Sequence, residues 1–102
     1  MGSKIIGYIT IGTEKIGSKK QYVQIVSFQV SEPYRGMGVG RKLFEKACDI
    51  AREYGASKLY ISAHSSKESQ ATYKALGCIH AAEIIPWIAE EKPCDVQLEY
   101  DL

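Results

Sequence analysis

The sequence predicts one mixed α/β domain with two helices, in which a central parallel strand pair is flanked by antiparallel strands. Three observations carry that prediction. A helical stripe of apolar residues at 39, 43, 44, 47, 50, 51 and 54 separates two β-rich segments, 22 to 30 and 58 to 63. Strand, helix and strand in close succession favour a parallel pair joined by a right-handed crossover. The closing run Val96-Gln97-Leu98-Glu99-Tyr100-Asp101-Leu102 alternates apolar and polar without a fault, as a half-buried antiparallel strand does. Length agrees, because 102 residues that are 45% apolar and 25% charged supply one small core, so residues 1–102 are read as a single domain.

Taken in order, residues 5 to 11 (IIGYITI) are β-branched and apolar, and Gly12, Gly17 and Ser18 then mark a turn. In YVQIVSFQV, residues 22 to 30, Val23 and Ile25 share one parity while Val26, Phe28 and Val30 share the other. Two readings fit this slip: a β-bulge that changes the face of the side chains, or a strand buried on both faces. The helix from Val39 to Tyr54 ends where Gly55 supplies a C-terminal cap, and KLYISA, 58 to 63, follows as a short strand. Ser65 with Glu68 three residues on forms a capping box for a second helix running to Leu76 and closed by Gly77. Ile79 to Ile88 reads as strand, broken near Pro86, with a hairpin through Glu90 to Cys94 leading into the last strand.

Thirteen Lys and Arg against twelve Asp and Glu leave a net charge of +1, so no whole-chain field selects nucleic acid or an anionic membrane. The apolar stretches are far short of a bilayer span and the first residues hold no cleavable leader, which reads as cytoplasmic. Met1-Gly2-Ser3 opens like a myristoylation signal, but Ile6 stands where that signal needs Ser or Thr. Cys48, Cys78 and Cys94 are odd in number and widely spaced, so neither a disulfide framework nor a metal site is expected.

The informative segment is Glu32-Pro33-Tyr34-Arg35-Gly36-Met37-Gly38-Val39-Gly40-Arg41-Lys42, with three glycines at alternate positions between a strand and the long helix. Glycine lets the backbone turn sharply and approach a ligand with no Cβ in the way. The first N–H groups of a helix lack partners inside it and sit at the positive end of its dipole, so they suit an anion. Arg35, Arg41 and Lys42 add charge that pairs with phosphate, and a diphosphate ligand fits. A Walker loop fails because Arg41 follows Gly36 by five with no hydroxyl behind it, and a dinucleotide fingerprint fails on its glycine spacing.

These residues resemble the GNAT superfamily of N-acetyltransferases, whose acetyl-CoA loop reads Gln/Arg-x-x-Gly-x-Gly/Ala after a bulged strand. Arg35-x-x-Gly38-x-Gly40 matches it. A second stretch, Ser66 to Cys78, is similar to the family's Asn-x-x-Ala-x-x-x-Tyr-x-x-x-Gly-Phe, with Tyr73 and Gly77 matching while Ser66, Ser69 and Cys78 replace Asn, Ala and Phe. The resemblance runs from about residue 4 to the end. It implies a GNAT-like acyl-CoA N-acyltransferase fold with a mixed, mostly antiparallel sheet, and a short member without the usual N-terminal strand and helices that wall the acceptor side.

The resemblance also implies roles. Acetyl-CoA would lie between strands 22 to 30 and 58 to 63 where they part. The main chain of Phe28 and Val30 would face its pantetheine arm, and the loop Arg35, Gly36, Met37, Gly38, Val39, Gly40 and Arg41 its pyrophosphate, with Ser66, Ser69 and Tyr73 across the cleft. A bulge N–H near Phe28 would polarise the thioester carbonyl. Tyr73 would be the general acid beside the sulfur. For the base the strand 22 to 30 offers no carboxylate, so His64 is the candidate, with Glu32 and Glu83 weaker. Cys48 reads as core, Cys78 and Cys94 lack a partner His, and Trp87 and Tyr100 read as packing residues.

The expected reaction is therefore direct acetyl transfer from acetyl-CoA to a primary amine in a ternary complex, and either a second copy of the chain, in a homodimer, supplies the acceptor-side wall or the chain is a minimal or truncated member. Two competing expectations are a CoA-binding module without catalysis and a generic nucleotide-phosphate domain.

Overall fold

The sheet runs in the order β1-β2-β3-β5-β4, with β1 spanning Gly7–Ile11, β2 Tyr22–Val30, β3 Lys58–Ala63, β4 Ile79–His80 and β5 Val96–Asp101. The coordinates are a computed structural model that describes residues 5–102, so the Met1-Gly2-Ser3 opening lies outside the described residues. β2 and β3 form the parallel pair, and every other pairing is antiparallel. The mixed, mostly antiparallel sheet predicted from the sequence is therefore present, with the crossover helix α1, Val39–Glu53, between its two parallel strands.

Where two readings of β2 stood open, pairing with β1 decides for the bulge. Thr10 faces Ser27 while the next residue, Ile11, faces Ile25, so Val26 is the extra residue. Val26 is exposed, whereas Ile25 before it and Phe28 after it both pack toward the helices. The slip turns Phe28 and Val30 onto the same face as Val23 and Ile25. It also lies two residues earlier than the position near Phe28 implied by resemblance.

α1 covers this face with Phe44, Cys48 and Ala51, which bury against Val23, Ile25, Leu59, Ile61 and Leu98. Ala47 and Ala51, small and almost fully buried, let the second half of the helix approach the sheet closely. Beyond its end Gly55 takes a left-handed φ of +83°, and the Ala56 N–H reaches back to the Ala51 carbonyl at 3.1 Å, closing the helix. The second helix, α2 at Lys67–Leu76, lies on the same face through Tyr73 and Leu76. Its cap is Ser66, whose hydroxyl accepts from the Ser69 N–H at 3.2 Å. In place of the capping box predicted from Ser65 and Glu68, Ser66 caps the helix one residue later through its hydroxyl alone, because it holds the extended backbone that a cap needs, and its own N–H goes to His64.

The stretch 79 to 88 differs from its prediction. Only Ile79–His80 is strand, and a third helix, α3, runs Pro86–Glu91, so the fold has three α-helices among the described residues where two were expected. Proline starts α3 because its missing N–H is one the first turn leaves unbonded anyway. Ile85 and Ile88, spaced for a helix, bury together against Tyr22 and Tyr60 on the sheet face opposite α1 and α2. The predicted hairpin through 90 to 94 is therefore the exit from α3. Trp87 points away from this small core and is 57% exposed, contrary to the packing role expected of it.

Candidate functional site

Parallel pairing stops early. β2 and β3 face each other from Tyr22 and Lys58 as far as Ile25 and Ile61, yet β2 continues to Val30 and β3 to Ala63. Residues Val26 to Val30 consequently carry a strand edge on the β3 side with no strand partner. The bulge at Val26 makes the split, since it bends and twists its strand locally. Such an edge accepts an extended ligand by main-chain hydrogen bonds.

A cavity of about 600 Å³ opens beside that edge. Phe28, Gln29 and Val30 form its β2 wall, Arg35 and Gly36 its loop, Gly40 the start of α1, and Glu68, Ser69, Thr72 and Tyr73 the α2 wall. The loop leaves β2 through a 3-10 turn, Glu32–Tyr34, and Arg35 is tied back by its Nε–H to the Val30 carbonyl at 3.0 Å. Gly36 and Gly38 have φ of +81° and +83°, a region that costs other residues about 1–2 kcal/mol. A Cβ added at either meets nothing within 4 Å, so the backbone here faces open space. Gly38 is the N-cap of α1 and no side chain caps it; the first helical bond is Lys42 N–H to the Gly38 carbonyl. The preceding N–H groups, at Val39, Gly40 and Arg41, have no acceptor inside the helix. The helix opens as an anion-binding terminus at the mouth of the cavity.

Across the cavity, Tyr73 meets the Phe28 ring edge-on at 6.2 Å. Burial, with smaller contributions from Cys78 and Asp95, pushes its hydroxyl up to about 12, so it stays protonated at neutral pH.

The sequence-predicted residues divide. The cavity brings together Phe28, Val30, Arg35, Gly36, Gly40, Ser69 and Tyr73. Gly38 and Val39 stand at the adjoining helix start, and Ser66 acts one residue before α2 as its cap. Met37 is largely exposed, and Arg41 donates to the Ala75 carbonyl at 3.1 Å, fastening α1 to the last turn of α2. His64 lines neither this cavity nor a smaller one on the opposite face, and its Nδ1 accepts from the Ser66 N–H at 3.0 Å, which makes it part of the lead-in to α2. Glu83 is bound by Ser18 and Gln21, and Glu32 belongs to the 3-10 turn. Gln29, Glu68 and Thr72 line the cavity without having been predicted. Thr72 was findable, because 69, 72 and 73 share one face of a helix.

The family model for the acetyltransferase (GNAT) family matches residues 1–78. The chain belongs to that family. A curated relative, thialysine N-epsilon-acetyltransferase of Bos taurus, is 28% identical over 87 residues, which are 84% of this chain and 51% of the relative. The chain thus spans about half the length of that curated relative. Among solved structures, an IAA acetyltransferase from Bacillus cereus superposes with a TM-score of 0.72 at 24% identity, covering 100% of this chain and 73% of the other. A GNAT family acetyltransferase from Elizabethkingia anophelis with acetyl-CoA bound gives 0.71 at 19%, covering 97% and 70%. At these identities the two structures bear on the fold, which is that of GNAT acetyltransferases.

Proposed function

We propose that this GNAT chain is an N-acetyltransferase that moves the acetyl group of acetyl-CoA to a primary amine by direct attack in a ternary complex. The observation that carries the reading is the joint placement of an unpartnered strand edge, Val26 to Val30, and the uncapped start of α1 around one cavity. Acetyl-CoA has two parts that need these two features. Its pyrophosphate suits the amides of Val39 to Arg41, with Gly36 and Gly38 leaving the backbone bare and Arg35 adding charge. Its pantetheine arm carries amides that extend β2 along Phe28 and Val30. Acetyl-CoA bound to a related GNAT structure supports the same co-substrate.

In the reaction the amine nitrogen attacks the thioester carbonyl. A main-chain N–H of the segment leaving the bulge, between Val26 and Phe28, stabilises the oxyanion, and losing one such donor costs about 100- to 1,000-fold in rate. Tyr73 then gives its proton to the departing thiolate. A hydroxyl pushed up to about 12 by its burial is a fully loaded donor at neutral pH. Ser66 and Ser69 set the α2 wall, Ser66 by capping the helix and Ser69 by lining the cavity.

Three free thiols, with Cys94 exposed, suit a reducing cytoplasm. Among the described residues no helix is long and apolar enough to cross a membrane. We assign a homodimer on the β4 edge of the sheet with the exposed Ile79, Ile84 and Trp87, and a monomer in sedimentation at micromolar concentration contradicts it.

The test is calorimetric titration with acetyl-CoA followed by release of CoA thiol with a panel of primary amines. Binding with turnover is expected. Binding without turnover points to a CoA-binding module, and stronger stabilisation by ATP than by CoA overturns the reading.

A further inference from the structure

We propose that Asp95 is the catalytic base and that the small cavity beside it, on the α3 face of the sheet, receives a short aliphatic ammonium group as acetyl acceptor. The inference rests on the acetyl-transfer reading and adds to it the base and the acceptor class.

The cavity measures about 120 Å³, roughly the space of four water molecules. β2 walls it from Gln24 to Val26, β3 gives Ser62, and the end of α3 gives Ile88 and Glu91. It therefore borders the point where β2 and β3 separate, after Ile25 and Ile61, while the larger cavity borders β2 from Phe28 onward. The two cavities flank one break in the sheet from opposite faces. Ser62 pairs with Gln97, and both lie on the α3 side, since their neighbours Ile61 and Leu98 belong to the core under α1.

A hydrogen-bond chain of fixed direction ends at Asp95. The Ile85 main-chain N–H donates to the Tyr60 hydroxyl at 3.0 Å, and a peptide N–H only donates. Tyr60 must spend its one proton on Gln97 Oε1, at 2.6 Å. That turns the Gln97 amide nitrogen toward the Ser62 hydroxyl, at 2.9 Å. Ser62 in turn gives its proton to Asp95 Oδ2, at 3.0 Å. Tyr60 is fully buried and Gln97 is 8% exposed, so the chain is anchored in the core. The carboxylate that closes it is an acceptor held in place, with the rest of its lone pairs left for a donor in the cavity it lines.

The surroundings select the ligand. Glu91 and Asp95 against Lys92 leave an excess negative charge, which draws a cation. Val26 and Ile88 give apolar surface for a short alkyl chain. Tyr73 lines the larger cavity, on the far side of the break.

The steps balance. The ammonium pairs with Asp95, which takes one nitrogen proton as the lone pair turns to the thioester carbonyl. The nitrogen lone pair forms the C–N bond and the thioester π pair moves to oxygen. Collapse breaks the C–S bond, Tyr73 protonates the leaving thiolate, and the second nitrogen proton restores Tyr73. Asp95 returns its proton to solvent.

The probe is n-butylamine with acetyl-CoA. Asp95→Asn, which keeps the shape, is expected to cut kcat/KM for the amine by about 100-fold or more while leaving acetyl-CoA affinity within about two-fold. Independently of turnover, n-butylammonium added to the CoA-bound wild-type protein shifts the amide NMR signals of Gln24, Val26 and Ser62, and does not in the variant. An Asn variant retaining at least about a third of the activity, or no shift at those amides in wild-type protein that holds CoA, overturns the proposal. Wild-type protein that binds no acetyl-CoA overturns the acetyl-transfer reading instead.

Discussion

Tyr73 of α2 stands edge-on to Phe28 of β2, ring centroids 6.2 Å apart and planes at 65°. The pair bridges the two walls of the larger cavity, so the Tyr73 ring is held by packing while its hydroxyl is left for chemistry. Tyr73→Phe keeps the ring contact and removes the proton donor. The expected outcome is a loss of about 100-fold in kcat with the KM for acetyl-CoA little changed, measured by steady-state thiol release. A parallel rise in KM places Tyr73 in binding instead.

Gly38 and Gly40 are two residues apart and respond oppositely to alanine. Gly38→Ala meets no atom within 4 Å, so the fold loses only the strain of φ +83°, about 1–2 kcal/mol. The new methyl enters the space assigned to the pyrophosphate, and acetyl-CoA affinity is expected to fall at least about tenfold, or about 1.4 kcal/mol. Gly40 is inside α1, where an added Cβ makes ordinary contacts of 3.6 Å with Phe28 and Val30. Gly40→Ala is expected to raise stability by about 0.5–1 kcal/mol through helix propensity. Denaturant melts and calorimetry on the two variants separate the effects.

The break between β2 and β3 depends on one residue. Deleting Val26 puts Ile25 beside Ser27 and lets β1 pair with β2 without interruption. Far-ultraviolet circular dichroism is expected to show a folded sheet, because the partners of both segments survive. Acetyl transfer is expected to fall more than about 100-fold, since the main-chain donor at the bulge is lost. Retention of the rate in the deletion variant refutes the assignment of that donor.

Local rules made much of this molecule legible. The glycines at 36 and 38 are demanded by their left-handed backbone and can be read without a partner in view, whereas the parity slip at Ile25 and Val26 fitted two readings until the register with β1 chose the bulge. α3 could not be read locally either. Ile84, Ile85 and Ile88 suit a strand by composition, and it is burial of Ile85 and Ile88 against Tyr22 and Tyr60, far off in sequence, that selects the helix Pro86 permits. His64 was chosen as base for its titration range, yet its Nδ1 is taken up by the Ser66 N–H. Ser62 and Asp95 are 33 residues apart and meet only through the pairing of β3 with β5, so no spacing rule reaches them.

Glu99 is the buried acid of the α3 face and ties β5 to its neighbours. Its carboxylate accepts from Tyr22 Oη at 2.6 Å, Lys58 Nζ at 2.7 Å and the Ala82 N–H at 3.0 Å. Burial by itself raises the carboxyl, but the Lys58, Tyr22 and Ala82 hydrogen bonds outweigh it and hold Glu99 below its ordinary value. A carboxyl depressed in the folded state stabilises above its unfolded value, near ~4.3, and the contribution drains away as pH falls through the folded value. Glu99→Ala strands the Tyr22 hydroxyl and the Ala82 N–H and leaves Lys58 with Asp101 alone, so at pH 7 it is expected to cost about 2–4 kcal/mol. Urea unfolding at pH 7 and at pH 3 checks the sign: the difference between wild type and variant narrows at the lower pH, and an unchanged difference shows that the carboxylate charge is not what Lys58 and Tyr22 hold.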